Sequence, residues 1–158
     1  MAQLVRGDQA PDFRLQDSNG TWVSLADYAP GKVILYFYPA ALTPTCTVQA
    51  VDFSAALTDF REAGYTILGV SPDDPGTLKT FIGRNNLSVT LLSDPSMSTI
   101  QAYGAWGERL MWGKTITGLI RSTFIIDVDG EGKGTIQEAE YSVRGTGHVD
   151  RLREKLGF

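Results

Sequence analysis

The stretch Val33-Ile34-Leu35-Tyr36-Phe37-Tyr38-Pro39-Ala40-Ala41-Leu42-Thr43-Pro44-Thr45-Cys46 joins a strand-like run to a helix start that carries the only cysteine of the chain. The apolar, β-branched and aromatic residues from Val33 to Tyr38 lie between Pro30-Gly31 and Pro39, which suits a short strand buried on both faces rather than a helix. Thr43-Pro44 then reads as a helix start. Threonine is a favoured N-cap, and proline at the first helical position gives up an amide that has no partner there anyway. Cys46 falls third in that helix. From it, Cys46, Ala50, Phe53, Leu57 and Phe60 recur at steps of four and three, the seam of an amphipathic helix ending near Gly64.

Outward from this junction the chain alternates. Towards the N-terminus, Phe13-Arg14-Leu15 and Trp22-Val23-Ser24-Leu25 flank Asp17-Ser18-Asn19-Gly20, an Asn-Gly turn signal between alternating residues that predicts a β-hairpin. Towards the C-terminus, Tyr65 to Val70 reads as another buried strand, followed by a loop Ser71-Pro72-Asp73-Asp74-Pro75 and a helix from about Gly76 to Asn85. A short helix is expected from Ser96 to Tyr103, a buried strand over Ser122 to Ile126, and a last helix starting near His148. Strand and helix in alternation imply an α/β sheet with helices on its faces. Between Gly104 and Ile120 the chain is glycine-punctuated and apolar, with Trp106, Leu110, Met111, Trp112, Ile116 and Leu119. Core packing under a long loop is the expectation there, with a pocket wall or a partner surface as the alternatives.

A thiol at a helix start has chemical meaning. The first turn carries unpaired N–H groups and a partial positive charge, both of which favour an anion. A free cysteine side chain, with a pKa of about 8.5, is only a few per cent thiolate at neutral pH, and the thiolate is the nucleophile. Lowering such a pKa by roughly 2.5 units takes about 3.4 kcal/mol, whereas a helix terminus supplies roughly 0.3 to 2, so a cation is expected beside the sulfur. The Thr43 hydroxyl is expected to accept a capping bond from the Cys46 amide and to point its own proton at the sulfur or at an oxygen lying against it. From the residues alone a blander reading stays open, because a lone cysteine on a helix seam is commonly a small, inert, buried hydrophobe.

Pro39-x3-Thr43-x2-Cys46 after a hydrophobic strand resembles the active-site motif of the peroxiredoxins. The wider string Tyr36-Phe37-Tyr38-Pro39, then Thr43-Pro44-Thr45-Cys46-Thr47, resembles the bacterioferritin-comigratory or peroxiredoxin Q subfamily in particular. The likeness covers nearly the whole chain, from Gly7-Asp8-Gln9-Ala10-Pro11-Asp12-Phe13 through Leu91-Leu92-Ser93-Asp94 and Trp106-Gly107-Glu108 to Arg121-Ser122-Thr123-Phe124-Ile125-Ile126-Asp127. It implies a thioredoxin-like α/β fold, with a central mixed sheet flanked by helices and an N-terminal β-hairpin, and residues 1–158 forming a single domain. It also implies a thiol peroxidase without a cofactor, in which Cys46 is the peroxidatic nucleophile, Thr43 the hydroxyl that holds the peroxide, Pro39 the shield over the sulfur and Arg121 the cation. Nothing local singles out Arg121 among nine arginines, and composition alone would make it a solvated strand flank.

Two departures from the subfamily matter. It often has glycine where this chain has Thr45, and the added side chain is expected to bear on the pocket mouth. Many relatives place a second cysteine five residues after the first, where this chain has Val51, and others place one on a later helix; this chain has neither. The implied sulfenic acid must then be resolved by an outside thiol, a small molecule or a thioredoxin-like protein, in a 1-Cys mechanism acting on hydrogen peroxide or organic hydroperoxides.

The remaining features bound this reading. The 158 residues, 42% hydrophobic and 20% charged, describe an ordinary globular domain. A net charge of −4 argues against nucleic acid or an anionic membrane as partner. Met1 to Phe13 lacks a signal-peptide core, no apolar run approaches a membrane span of about 20 residues, and one unpaired cysteine fits a reducing cytoplasm. A cytoplasmic monomer or weak homodimer is expected. Asp127, Asp129, Glu131, Gly132 and Glu138 sit at EF-hand-like spacing, but a strand on the left flank and the Asp129-Gly130 turn read as a hairpin instead, so no metal is expected. His148, the only histidine, is expected at the surface in the first turn of the last helix. Two rivals to the peroxidase are a cysteine hydrolase pairing Cys46 with His148 and a non-enzymatic redox-sensing or binding module. The hydrolase predicts that His148→Ala abolishes turnover; the peroxidase reading predicts near-normal peroxide reactivity.

Overall fold

The fold is taken from a computed structural model that describes residues 3–158. The chain runs β1 (Arg14–Asp17), β2 (Trp22–Ser24), a 3-10 turn (Leu25–Tyr28), β3 (Gly31–Phe37), α1 (Pro44–Glu62), β4 (Tyr65–Ser71), α2 (Pro75–Asn85) and β5 (Thr90–Ser93). It continues through α3 (Ser98–Ala102), β6 (Trp106–Met111), β7 (Lys114–Leu119), β8 (Ser122–Val128) and β9 (Gly134–Glu140) to α4 (His148–Leu156). Seven strands form one mixed sheet in the order β2-β1-β5-β4-β3-β8-β9, with β3, β4 and β5 parallel and β8 antiparallel to β3.

β3 occupies the position its composition predicts, inside the sheet with both faces covered. Side chains alternate across a strand. Val33, Leu35 and Phe37 therefore join one core with Phe13, Leu15, Leu68, Phe124 and Ile126. Ile34, Tyr36 and Tyr38 join the other with Cys46, Phe53, Phe60, Ile67, Phe81 and Leu152. The seam of α1 packs into the second core, and the helix ends before Gly64, whose φ of +93° a side chain would strain. Tyr36 stacks on Phe53 with ring centroids 4.5 Å apart. Gly69 on β4 makes room for it, because a Cβ there would stand 2.7 Å from the Tyr36 ring.

The N-terminal hairpin forms in the predicted register, Leu15 opposite Val23. Its turn is longer than a two-residue Asn-Gly connection: the Asp17 amide donates to the Thr21 carbonyl, and the Asp17 carboxylate accepts from the amides of Asn19 and Thr21. α2 starts one residue earlier than predicted, at Pro75, behind an Asp74 cap on the Thr77 amide. α3 is confined to Ser98–Ala102.

The region from Gly104 to Ile120 departs from expectation. It is a two-stranded hairpin, β6 with β7, rather than a long loop over the core. Trp106 packs partly on the core and Leu119 and Ile120 are buried, but Leu110 is 78% and Trp112 94% exposed. The alternation of a ribbon exposes every second residue along one side, which an apolar count cannot reveal. The acidic run after β8 is the hairpin turn it was expected to be, with Asp129 accepting from its own turn amides at Glu131 and Lys133. Among the described residues, no helix is long and apolar enough to cross a membrane.

Candidate active site

The loop from Pro39 to Thr43 is fastened to the end of β4. Asp73 accepts from the Ala41 amide at 2.7 Å and from the Ser71 hydroxyl at 2.8 Å, and its own carbonyl accepts from Ser93. Directly after the Ala41 attachment Leu42 takes a φ of +64°, an uncommon conformation for a residue with a side chain. Pro39 follows β3 and is half-buried. The loop then delivers Thr43 as the N-cap of α1, with Pro44 at the first helical position and Cys46 two residues on.

Thr43 has the extended backbone of an N-cap, but its side chain does not cap. The hydroxyl donates to the Ala40 carbonyl at 2.7 Å instead of accepting from the Cys46 amide. The first-turn amides of Thr45 and Cys46 are thereby left without a capping partner. With its proton engaged by Ala40, the Thr43 oxygen has lone pairs free to accept.

Cys46 is 2% exposed, at the edge of the second core. Arg121, immediately before β8, reaches it: Nη2 donates to the Cys46 sulfur at 3.3 Å. The same guanidinium donates through Nη1 to Gln49 Oε1 at 2.6 Å. Gln49 lies one helical turn beyond Cys46, fully buried, and its Nε2 sits 3.0 Å from His148 Nδ1. His148 opens α4 as expected but is 1% exposed, so the surface expectation fails. Its ring meets Phe53 edge to face, and burial lowers its pKa to about 4. Among the described residues the hydrogen bond of His148 runs to Gln49 and not to Cys46, so the hydrolase pairing is not formed.

The segment between β9 and α4 closes the arrangement. The Val143 amide donates to the Arg121 carbonyl at 2.8 Å. Gly145 comes so close that a Cβ there would stand 2.6 Å from the Thr45 methyl and 3.3 Å from the Arg121 guanidinium carbon. Thr45 therefore leans on a position that has no side chain. A cleft of about 500 Å³ lies next to Arg121, walled by Arg109, Leu110, Ile120, Ser142 and Val143.

Cys46, Thr43 and Arg121 are thus placed around one helix start, and Pro39 begins the loop leading to it. The residue pattern did not single out Gln49. A helical residue three beyond Cys46 shares its face, and a glutamine among apolar seam residues is the signal that could have found it.

The sequence pattern of the AhpC/TSA family matches residues 6–133. Peroxiredoxin Bcp of Escherichia coli (strain K12) is 42% identical over 131 residues, covering 83% of this chain and 84% of that protein. The chain belongs to the peroxiredoxin family. A Mycobacterium tuberculosis protein that also carries a peroxiredoxin name is 51% identical over 154 residues, 98% of this chain and 96% of its own. The structure of peroxiredoxin Q from Xanthomonas campestris superposes with a TM-score of 0.81 at 33% identity, covering 91% of this chain and 89% of that one. The thioredoxin-like architecture of this peroxiredoxin is that of its solved relatives. Its activity class is thiol peroxidase, an oxidoreductase that uses a peroxide and a thiol reductant.

Proposed function

We propose that this peroxiredoxin is a 1-Cys enzyme that reduces hydrogen peroxide and organic hydroperoxides at Cys46 and is regenerated by an outside thiol. The observation that carries the reading is the Arg121 guanidinium 3.3 Å from the sulfur of the only cysteine, at an uncapped helix start. A cation and free amides together suit a centre at which negative charge develops as the peroxide bond breaks. The Cys46 sulfur attacks the terminal oxygen of ROOH, an S–O bond forms as the O–O bond breaks, and RO⁻ departs to take up a proton as ROH. Arg121 and the Thr45 and Cys46 amides stabilise the departing oxygen, the Thr43 oxygen accepts a hydrogen bond from the peroxide O–H, whose proton stays on the oxygen transferred to sulfur, and Pro39 shields the sulfur. The sulfenic acid then condenses with R′SH to a mixed disulfide and water, and a second thiol releases Cys46 and a disulfide.

Organic hydroperoxides are included because the cleft beside Arg121 has apolar walls at Leu110, Ile120 and Val143. Alkyl peroxide reduction is also the activity of a structurally similar relative, the bacterioferritin comigratory protein of Xanthomonas campestris. Residues 1–158 act as one domain, since the central sheet takes strands from both halves of the chain. A lone thiol that needs external reductant is suited to a reducing cytoplasm, as a monomer or weak homodimer.

Stopped-flow oxidation with hydrogen peroxide, followed by intact mass after adding candidate thiols, tests the reading. Rapid oxidation and a one-to-one mixed disulfide are expected. Oxidation at the rate of free cysteine, unchanged by Arg121→Ala, would instead leave a redox-sensing or binding module.

A further inference from the structure

His148 is a buried titratable group for which the peroxidase steps above have no use. Its surroundings constrain it sharply. Arginine can only donate, so the atom of Gln49 facing Arg121 Nη1 at 2.6 Å must be the carbonyl oxygen. The amide NH₂ then faces His148 at 3.0 Å, and the ring nitrogen it meets, Nδ1, must be an acceptor. The ring is consequently neutral with its proton on Nε2, an atom that is buried and has no partner among the described residues. One donor-only group at one end thus determines an amide orientation and a histidine tautomer at the other.

We propose that His148 is a positioning residue for the peroxidase reaction: its unprotonated Nδ1 holds the Gln49 amide so that the carbonyl oxygen stays on Arg121, which keeps the guanidinium on the Cys46 sulfur. Without that acceptor the Gln49 NH₂ is buried and unpaired, and rotating the amide to find a partner sets NH₂ against the guanidinium. Protonating Nδ1 does the same damage by placing donor against donor. The charged groups that act on the ring are Glu140 of β9, Arg151 of its own helix and Arg121 before β8; α1 contributes the neutral Gln49 and Phe53. This inference rests on the peroxidase reading, and it revises the expectation that His148 is dispensable to peroxide reactivity.

Two variants separate positioning from packing. His148→Phe keeps a ring against Phe53 and removes the acceptor; His148→Asn offers Oδ1 near the place of Nδ1. Loss of one buried hydrogen-bond acceptor is expected to slow peroxide oxidation of the Phe variant by about tenfold. The Asn variant is expected to recover most of that rate. In a Gln49→Met background, removing His148 is expected to have no further effect. Equal rates in wild type and the Phe variant, or equal losses in both variants, would overturn the proposal.

A readout independent of activity comes from the ¹⁵N spectrum of the protein's only histidine. An unprotonated Nδ1 and a protonated Nε2 are expected from neutral pH down towards pH 4, with the preference weakened by Arg121→Ala. A charged ring at pH 6, or a proton on Nδ1, refutes the relay even if the protein is a peroxidase. The expected tautomer in a protein that leaves peroxide untouched refutes the peroxidase reading instead.

Discussion

Arg121 divides its two terminal nitrogens between a sulfur and an amide oxygen, a task for which the flat guanidinium fork is suited and an ammonium is not. Arg121→Lys keeps the charge but loses one of the two contacts. Its oxidation by peroxide is expected to slow by roughly 100-fold, the scale of removing one preorganised donor, as measured by stopped flow. Thr43→Val removes the hydroxyl at similar volume and is expected to slow the same step; an unchanged rate would remove Thr43 from the peroxide site. His148 adds a stability prediction. Its folded pKa of about 4 lies below its ordinary value near 6.5, so the unfolded chain takes up a proton first as pH falls. The contribution of His148 to stability is fully present above pH 6.5 and is lost as pH falls towards 4. Relative to His148→Asn, wild type is expected to lose roughly 2 to 3 kcal/mol between pH 7 and pH 4.5, read from urea unfolding. At this scale the sequence was partly legible. Cys46 and Thr43 stood in a local pattern, whereas Arg121 needed the family motif, and Gln49 and His148 are joined across 99 residues that no spacing rule connects.

Among the elements, those defined by their own composition came through best. β3 is apolar from Val33 to Phe37 because both faces are covered there, and α1 carries its stripe because one side is buried. The β6–β7 ribbon was hidden, since Leu110 and Trp112 point into water while Trp106 and Leu119 face the core, and its pairing partner is its own other half. Its turn, Trp112-Gly113, has φ of +51° and +76°, the two left-handed positions of a tight hairpin turn. Tryptophan is strained in the first of them and almost fully exposed, so little packing is lost on replacing it. Trp112→Asn is expected to stabilise by roughly 1 kcal/mol, or about 2 to 4 °C in Tm by scanning calorimetry. The contact between Gly145 and Thr45 gives the opposite sign. Gly145→Ala is expected to cost about 1 to 3 kcal/mol by overpacking and to slow peroxide oxidation by pressing on Arg121. Thr45→Gly in the same chain removes the clashing methyl and is expected to restore much of both.

For the molecule as a whole, a chain with one cysteine has no second thiol with which to close an internal disulfide. Peroxide in excess with no thiol present is expected to carry Cys46 past the sulfenic acid, seen as two added oxygens by intact mass and as activity that reductant does not restore. A thiol supplied first is expected to intercept the sulfenic acid as a mixed disulfide. The span from Val143 to His148 has a separate implication. It is attached to the site at three places: a backbone bond to Arg121, the close approach of Gly145, and His148 through Gln49. Inserting or deleting even one residue there would misplace at least one attachment, so a tolerant splice point for a tag or reporter peptide belongs at the solvent-facing tip of the β6–β7 ribbon, and not in this short connection.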